Sequence, residues 1–223
     1  MLEKISILSP LLPIIFFVLF SIKKATKELW VIFICTIASL IFDIFLANSK
    51  WAFEHKYLVW NLFTFLQYLL FNFFFYLTIK QRAIRLGIII ISIFYLIVFT
   101  QTSKLNTEQS SSLMITIGYI IYLILSLSFL ILALKPRSEP TNILTPPFLI
   151  VVGLLISIAI TFFLFIIATR LTKEEILKYY SLNYYSNIIL NLIFSLAFIL
   201  VRHQIYNPPP ESQHVDFTNP YDR

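Results

Sequence analysis

Residues 57–79 read YLVWNLFTFLQYLLFNFFFYLTI, an unbroken run without a charged side chain. At about 1.5 Å of rise per residue, a helix of this length covers a hydrocarbon core of about 30 Å. A half-buried strand would alternate polar and apolar residues, and this run does not. In lipid, a segment satisfies its own backbone as a helix or as part of a closed barrel, and the continuous run selects the helix. Six more such runs occupy residues 5–22, 29–47, 84–101, 112–134, 147–169 and 180–201. The expectation is an all-α polytopic membrane protein, a seven transmembrane helix bundle over residues 1–206 with a tail at 207–223. Almost nothing remains for a soluble domain.

Composition agrees. The 223 residues are 59% hydrophobic and only 13% charged, about half the usual charged share. Mean hydropathy is +0.85. The net charge of +6 fits Lys and Arg in short loops held against anionic lipid. No basic stretch is long enough to track a phosphate backbone, so nucleic acid is excluded as a partner. Cys35 is the single cysteine, placed inside the second run, so no disulfide forms within the chain. It reads as a small packing residue. No metal site or cofactor is expected.

Residues 2–22 have the charged start and apolar centre of a secretory signal. No small-x-small cleavage motif follows, however, and Lys23, Lys24 and Lys27 come directly after. A retained first helix is expected. Loops between the runs are short, which makes sequence neighbours antiparallel. Of the ten prolines, eight lie in loops, at the first residue of the sixth run or in the tail; only Pro10 and Pro13 fall further inside a run, near the start of the first helix, where a local kink is expected.

Orientation follows from Lys and Arg on the two sides. One side holds Lys4, Lys50, Lys56, Lys104, Arg170, Lys173 and Lys178; the other ten include Lys23, Lys24, Lys27, Lys80, Arg82 and Arg85. Ten against seven places the N-terminus outside and the C-terminus in the cytoplasm. The tail carries Pro208, Pro209 and Pro210 followed by polar residues, which suits an extended, disordered segment. A docking peptide for a membrane or cytoplasmic protein partner is the functional alternative.

Polar residues inside the runs are the candidate site. Asp43 is the one acidic residue well inside a run, where ionisable groups face a bundle interior or a wet cavity. Tyr57, Asn61, Thr64, Tyr68, Asn72 and Tyr76 recur at steps of three or four, one face of the third helix. Asn183, Asn187 and Asn191 do the same on the seventh, flanked by Tyr180, Tyr184 and Ser195. Both stripes should point inward, either for interhelical hydrogen bonds of about 0.6 kcal/mol each or for a ligand. Asp43, Asn61 and Asn183 lie about four residues, or about 6 Å, from the same membrane side. Arg170 ends the sixth run on that side. These residues predict an outer polar cluster between the second, third and seventh helices. Its ligand-binding set is Asp43, Asn61, Thr64, Tyr68, Arg170, Asn183, Tyr184 and Asn187.

Gly153, Ser157 and Thr161 repeat at four-residue spacing, which lets a neighbouring helix approach closely. No run contains the core lysine of a retinal Schiff base, and HExxH and GxSxG patterns are absent. Glycine is scarce and no inverted repeat is visible, which counts against a standard secondary transporter.

The short loops, the Asn/Tyr-rich last helix and the Pro146-Pro147-Phe148 start of the sixth run resemble a group of uncharacterised small seven-span bacterial inner-membrane proteins. That resemblance implies a bacterial inner membrane and brings no catalytic residue. Three functions compete. The favoured one is a non-enzymatic component that binds a small ligand or lipid and acts through a partner. An intramembrane lipid hydrolase with Asp43 as base and a small-solute transporter are the alternatives.

Overall fold

The computed structural model describes residues 2–105, 108–134, 144–168 and 181–206. Arg170 and the tail at 207–223 lie outside the described residues. The first run is three pieces: α1 (Leu2–Leu8), α2 (Leu11–Phe16) and a π-helical turn, Phe17–Ser21. Then come α3 (Lys27–Asn48), the short α4 (Lys50–Glu54), α5 (Lys56–Thr78) and α6 (Arg82–Leu105). The remainder is α7 (Glu108–Leu134), α8 (Pro146–Ala168) and α9 (Ser181–Tyr206). There is no strand among the described residues. Seven segments are long and apolar enough to cross a membrane: Leu2–Ser21, Lys27–Asn48, Tyr57–Thr78, Arg82–Gln101, Leu113–Leu134, Pro146–Leu164 and Ser181–Val201. They match the expected runs to within a few residues. The chain is an all-α, multi-pass membrane protein.

Six of the spans form a closed ring. The first span packs on α3, α3 on α5, α5 on α7, α7 on α8, α8 on α9, and α9 back on the first span. α3 also touches α8 across the ring. α6 stands outside, in the groove between α5 and α7. Only 11% of its span is buried, against 39% for α5. Its Leu86, Ile90 and Ile93 are exposed, a face that suits acyl chains and would aggregate in water.

The first span is broken by its prolines, as expected, and the break has a specific repair. Pro10 lacks the N–H that would bond the Ser6 carbonyl. That oxygen instead accepts from Ser9 Oγ at 2.7 Å and from Asn187 Nδ2 of α9 at 3.3 Å. Pro13 likewise frees the Ser9 carbonyl, which accepts from the Leu12 N–H at 3.1 Å. A bare carbonyl in hydrocarbon would cost several kcal/mol, roughly. Beyond the break, the Ile22 N–H reaches back five residues to Phe17 O at 2.9 Å. Ser21 on this turn donates to Phe198 O of α9 at 2.7 Å. Phe17, fully buried, stacks on Phe33 at 4.1 Å and meets Phe198 edge-on at 5.0 Å. One ring thereby ties together the first, second and seventh spans.

The Gly153 face works as expected for packing. A Cβ at Gly153 would sit 2.9 Å from Ile193 Cγ2 of α9, closer than real side chains approach. One turn on, Ser157 and Ser186 share a hydrogen bond at 2.8 Å. Small residues bring α8 and α9 together, and the hydroxyl pair fixes their register.

Candidate functional site

Steps of seven and four place Asn61, Tyr68 and Asn72 on one face of α5. All three are buried. The face is turned towards α6 and α7. Tyr68 stacks on Tyr95 of α6 with centroids 3.6 Å apart and planes 20° apart. It also lies 5.8 Å from the ring of Tyr122 of α7. The Tyr68 hydroxyl donates to Ile91 O at 3.4 Å, and that of Tyr95 donates to Met114 O at 3.1 Å. Gly118 makes room for this stack, since a Cβ there would lie 3.3 Å from the Tyr95 hydroxyl. Asn72 Nδ2 donates to Ser92 Oγ at 2.8 Å, and Ser92 passes the chain to Ile88 O at 2.8 Å. Thr64 is half-buried on the same side of α5.

Asn61 differs from its neighbours. It is 1% exposed, yet its Nδ2 has no hydrogen-bond acceptor. A buried amide donor left without an acceptor costs about 1–3 kcal/mol.

Asp43 lies seven and eleven residues beyond the buried Thr36 and Ile32, so all three occupy one inward face of α3. Its side chain is half-buried. The stack of Phe42 on Phe63, centroids 3.9 Å apart, sets the α3–α5 register and places Asp43 level with Leu62. Asn61 is two residues from Phe63, on the far side of α5. Asp43 and Asn61 thus share a level while facing different parts of the interior.

The seventh-span stripe goes elsewhere. Asn187 Nδ2 reaches Ser6 Oγ at 3.1 Å as well as the Ser6 carbonyl. Asn191 Nδ2 donates to Ser9 Oγ at 2.8 Å and to Asn187 Oδ1 at 3.2 Å, and the Ser195 hydroxyl closes on Asn191 O at 2.7 Å. Tyr184 and Asn183 are half-buried. No hydrogen bond among the described residues joins Asp43, Asn61 and Asn183. Among the described residues, hydrogen bonds form two seams rather than joining the residues of the cluster expected between the second, third and seventh helices. One runs from α5 to α6 and α7, and the other from α9 to the first span.

Four residues of the first seam escaped the sequence reading: Ser92, Tyr95, Tyr122 and Ser126. A signal existed. Tyr95 and Tyr122 sit mid-run rather than at a membrane interface, and a buried tyrosine hydroxyl there needs a partner. An open depression of about 420 Å³ lies among Ile41, Ile44, Phe45, Asn48 and Ser49. Ile41 is 63% exposed, so this hollow faces lipid and opens away from the seams. No three His, Cys, Asp or Glu side chains come together among the described residues. No protein-family model, curated protein or solved structure matches the chain.

Proposed function

We propose that the protein is a non-enzymatic membrane component that binds a small molecule or lipid through an oxygen acceptor and acts through a partner. The buried, unpartnered Asn61 amide carries this reading. A carbonyl, ester or hydroxyl oxygen offered to Nδ2 would remove its desolvation cost, so the site favours an occupied state. Thr64 and Tyr68 follow on the same face as lining, and Asp43 supplies a carboxyl at the same level from α3. Arg170, Asn183 and Tyr184 belong to the proposed set on the depth that their sequence positions imply, whereas the Asn187 amide is engaged by Ser6 of the first span.

In the orientation favoured by the Lys and Arg distribution, this end faces outward from a bacterial inner membrane. Residues 207–223 are then cytoplasmic and present their proline-rich segment to the partner. The polar face of α5 continues past the tyrosines to Asn72, and this favours small-solute transport as the second reading.

Native mass spectrometry of protein purified in mild detergent tests the proposal. The wild type should carry a bound species whose mass separates a lipid from a small solute. Asn61→Leu should lose it, and Asp43→Asn should weaken its retention while leaving the helical content unchanged. Equal occupancy in the wild type and Asn61→Leu would falsify the assignment.

A further inference from the structure

Two more buried polar atoms among the described residues lack a partner, Oδ1 of Asn72 and Oγ of Ser126. The helix register brings them side by side. α5 and α7 run in the same direction, because one span separates them. Tyr68 of α5 and Tyr122 of α7 are in ring contact, and Phe71 meets Tyr122 edge-on at 5.3 Å. Asn72 follows Tyr68 by four residues, and Ser126 follows Tyr122 by four. Each is therefore one turn further along the same face. They neighbour each other as the two tyrosines do.

Asn72 is 3% exposed and Ser126 is 0% exposed. The Asn72 amide is anchored through Nδ2 on Ser92, which leaves Oδ1 as a fixed acceptor. Thr36, Thr78, Ser92 and Ser195 turn their hydroxyls back to the carbonyl four residues earlier. Ser126 makes no such bond, so its buried hydroxyl is open to another partner. The pair offers one acceptor and one group able to donate or accept.

We propose that Asn72 and Ser126 form an internal site for a neutral hydrogen-bonding ligand of water size, occupied by a single water molecule between α5 and α7. The water donates to Asn72 Oδ1 and exchanges its second bond with Ser126 Oγ. Polar gaps of this kind hold ordered water. A cation fits poorly: α5, α6 and α7 carry no Asp or Glu within their membrane runs, and an uncompensated charge in the bilayer core is costly. The site stands apart from Asn61, eleven residues away on α5, with the Tyr68–Tyr95 stack between them. The polar seam thus has two separate stations divided by aromatic rings.

X-ray radiolysis of the full chain in isotopically labelled water tests this, because radicals formed at a bound water modify the nearest aromatic ring. Phe71, next to Asn72, and Phe17, in the aromatic cluster of the first span, are chemically identical probes that are 2% and 0% exposed. Phe71 should be modified at least about tenfold faster than Phe17, and Ser126→Ala should bring the two rates together. Equal rates in the wild type overturn the site, as does a Phe71 rate unchanged by Ser126→Ala. If the variant does not fold, the wild-type ratio decides alone. Stabilisation of the wild type by sodium over choline chloride, lost in Ser126→Ala, identifies a cation and overturns the neutral occupant.

Discussion

The carbonyl oxygen of Ser6, deprived of its helical donor by Pro10, lies 3.3 Å from Nδ2 of Asn187 in the last span. Two residues 181 positions apart thus share one backbone repair. The asparagine stripe of α9 is explained by what the first span lacks.

That relationship predicts a coupling. Asn187→Leu should destabilise the protein by about 1–2 kcal/mol, within the range of membrane hydrogen bonds, while Ser6 O keeps its bonds from Ser9. Pro10→Ala restores an N–H to Ser6, so the same Asn187 substitution should cost less in that background. Thermal melts or steric trapping of the four variants measure the cycle. Strict additivity would show that Asn187 does not serve the proline break.

Gly153 and Gly87 should respond in opposite ways. Gly153→Ala drives a methyl group to 2.9 Å from Ile193 Cγ2, an overpacking worth about 1–3 kcal/mol. Adding Ile193→Ala should recover part of it. Gly87 on α6 has nothing within 4 Å of its Cβ position, so Gly87→Ala should be neutral or stabilising by up to about 1 kcal/mol through helix propensity. Equal melting shifts for the two would contradict the packing described.

Gly118 is constrained by a hydroxyl rather than by a ring. Its added Cβ would first meet the Tyr95 oxygen at 3.3 Å, while the nearest ring atoms stand at 3.9 Å. Gly118→Ala should therefore cost about 1 kcal/mol in the wild type and become nearly silent in Tyr95→Phe. Tyr95→Phe alone gives up the bond to Met114 O, a loss of about 0.5–1.5 kcal/mol. Chemical denaturation in mixed micelles distinguishes these cases. An undiminished Gly118→Ala penalty in the Phe background would place the crowding elsewhere.

Membrane orientation is open to direct assay. A reporter active only in the cytoplasm, fused after Arg223, should be functional, and the same reporter in the loop after α3 should be silent. The reverse pattern would turn the bundle over and place Asn61 on the cytoplasmic side.

Much of this architecture is legible in the chain, for a physical reason. Bilayer thickness sets span length, so runs such as 57–79 declare themselves without any neighbour. Periodicity also reveals which face of a span turns inward, which is why Asn61, Tyr68 and Asn187 are found buried or half-buried. What periodicity cannot encode is the partner helix. Packing between apolar helices in lipid depends on fit rather than on a period, and the match of Gly153 to Ile193 emerges only in three dimensions. The placing of Asn187 against the first span belongs to the same class. So does the π-helical turn at Phe17–Ser21, whose sequence reads as ordinary helix. Ser92, Tyr95, Tyr122 and Ser126 were missed because their spacings, such as Tyr122 to Ser126, carry no amide or carboxyl to mark the face as polar.

The closed ring has a consequence for how the protein is made. A chain inserted from its N-terminus carries the proline-broken first span into the bilayer while its repairing helix is still unsynthesised. Ser6, Ser9 and the Phe17 cluster then wait through five further spans before Asn187, Asn191 and Phe198 arrive. Assembly on this order ends with the seventh span seating against the first, and a nascent chain stalled before α9 has only the first span's own bonds to its freed carbonyls.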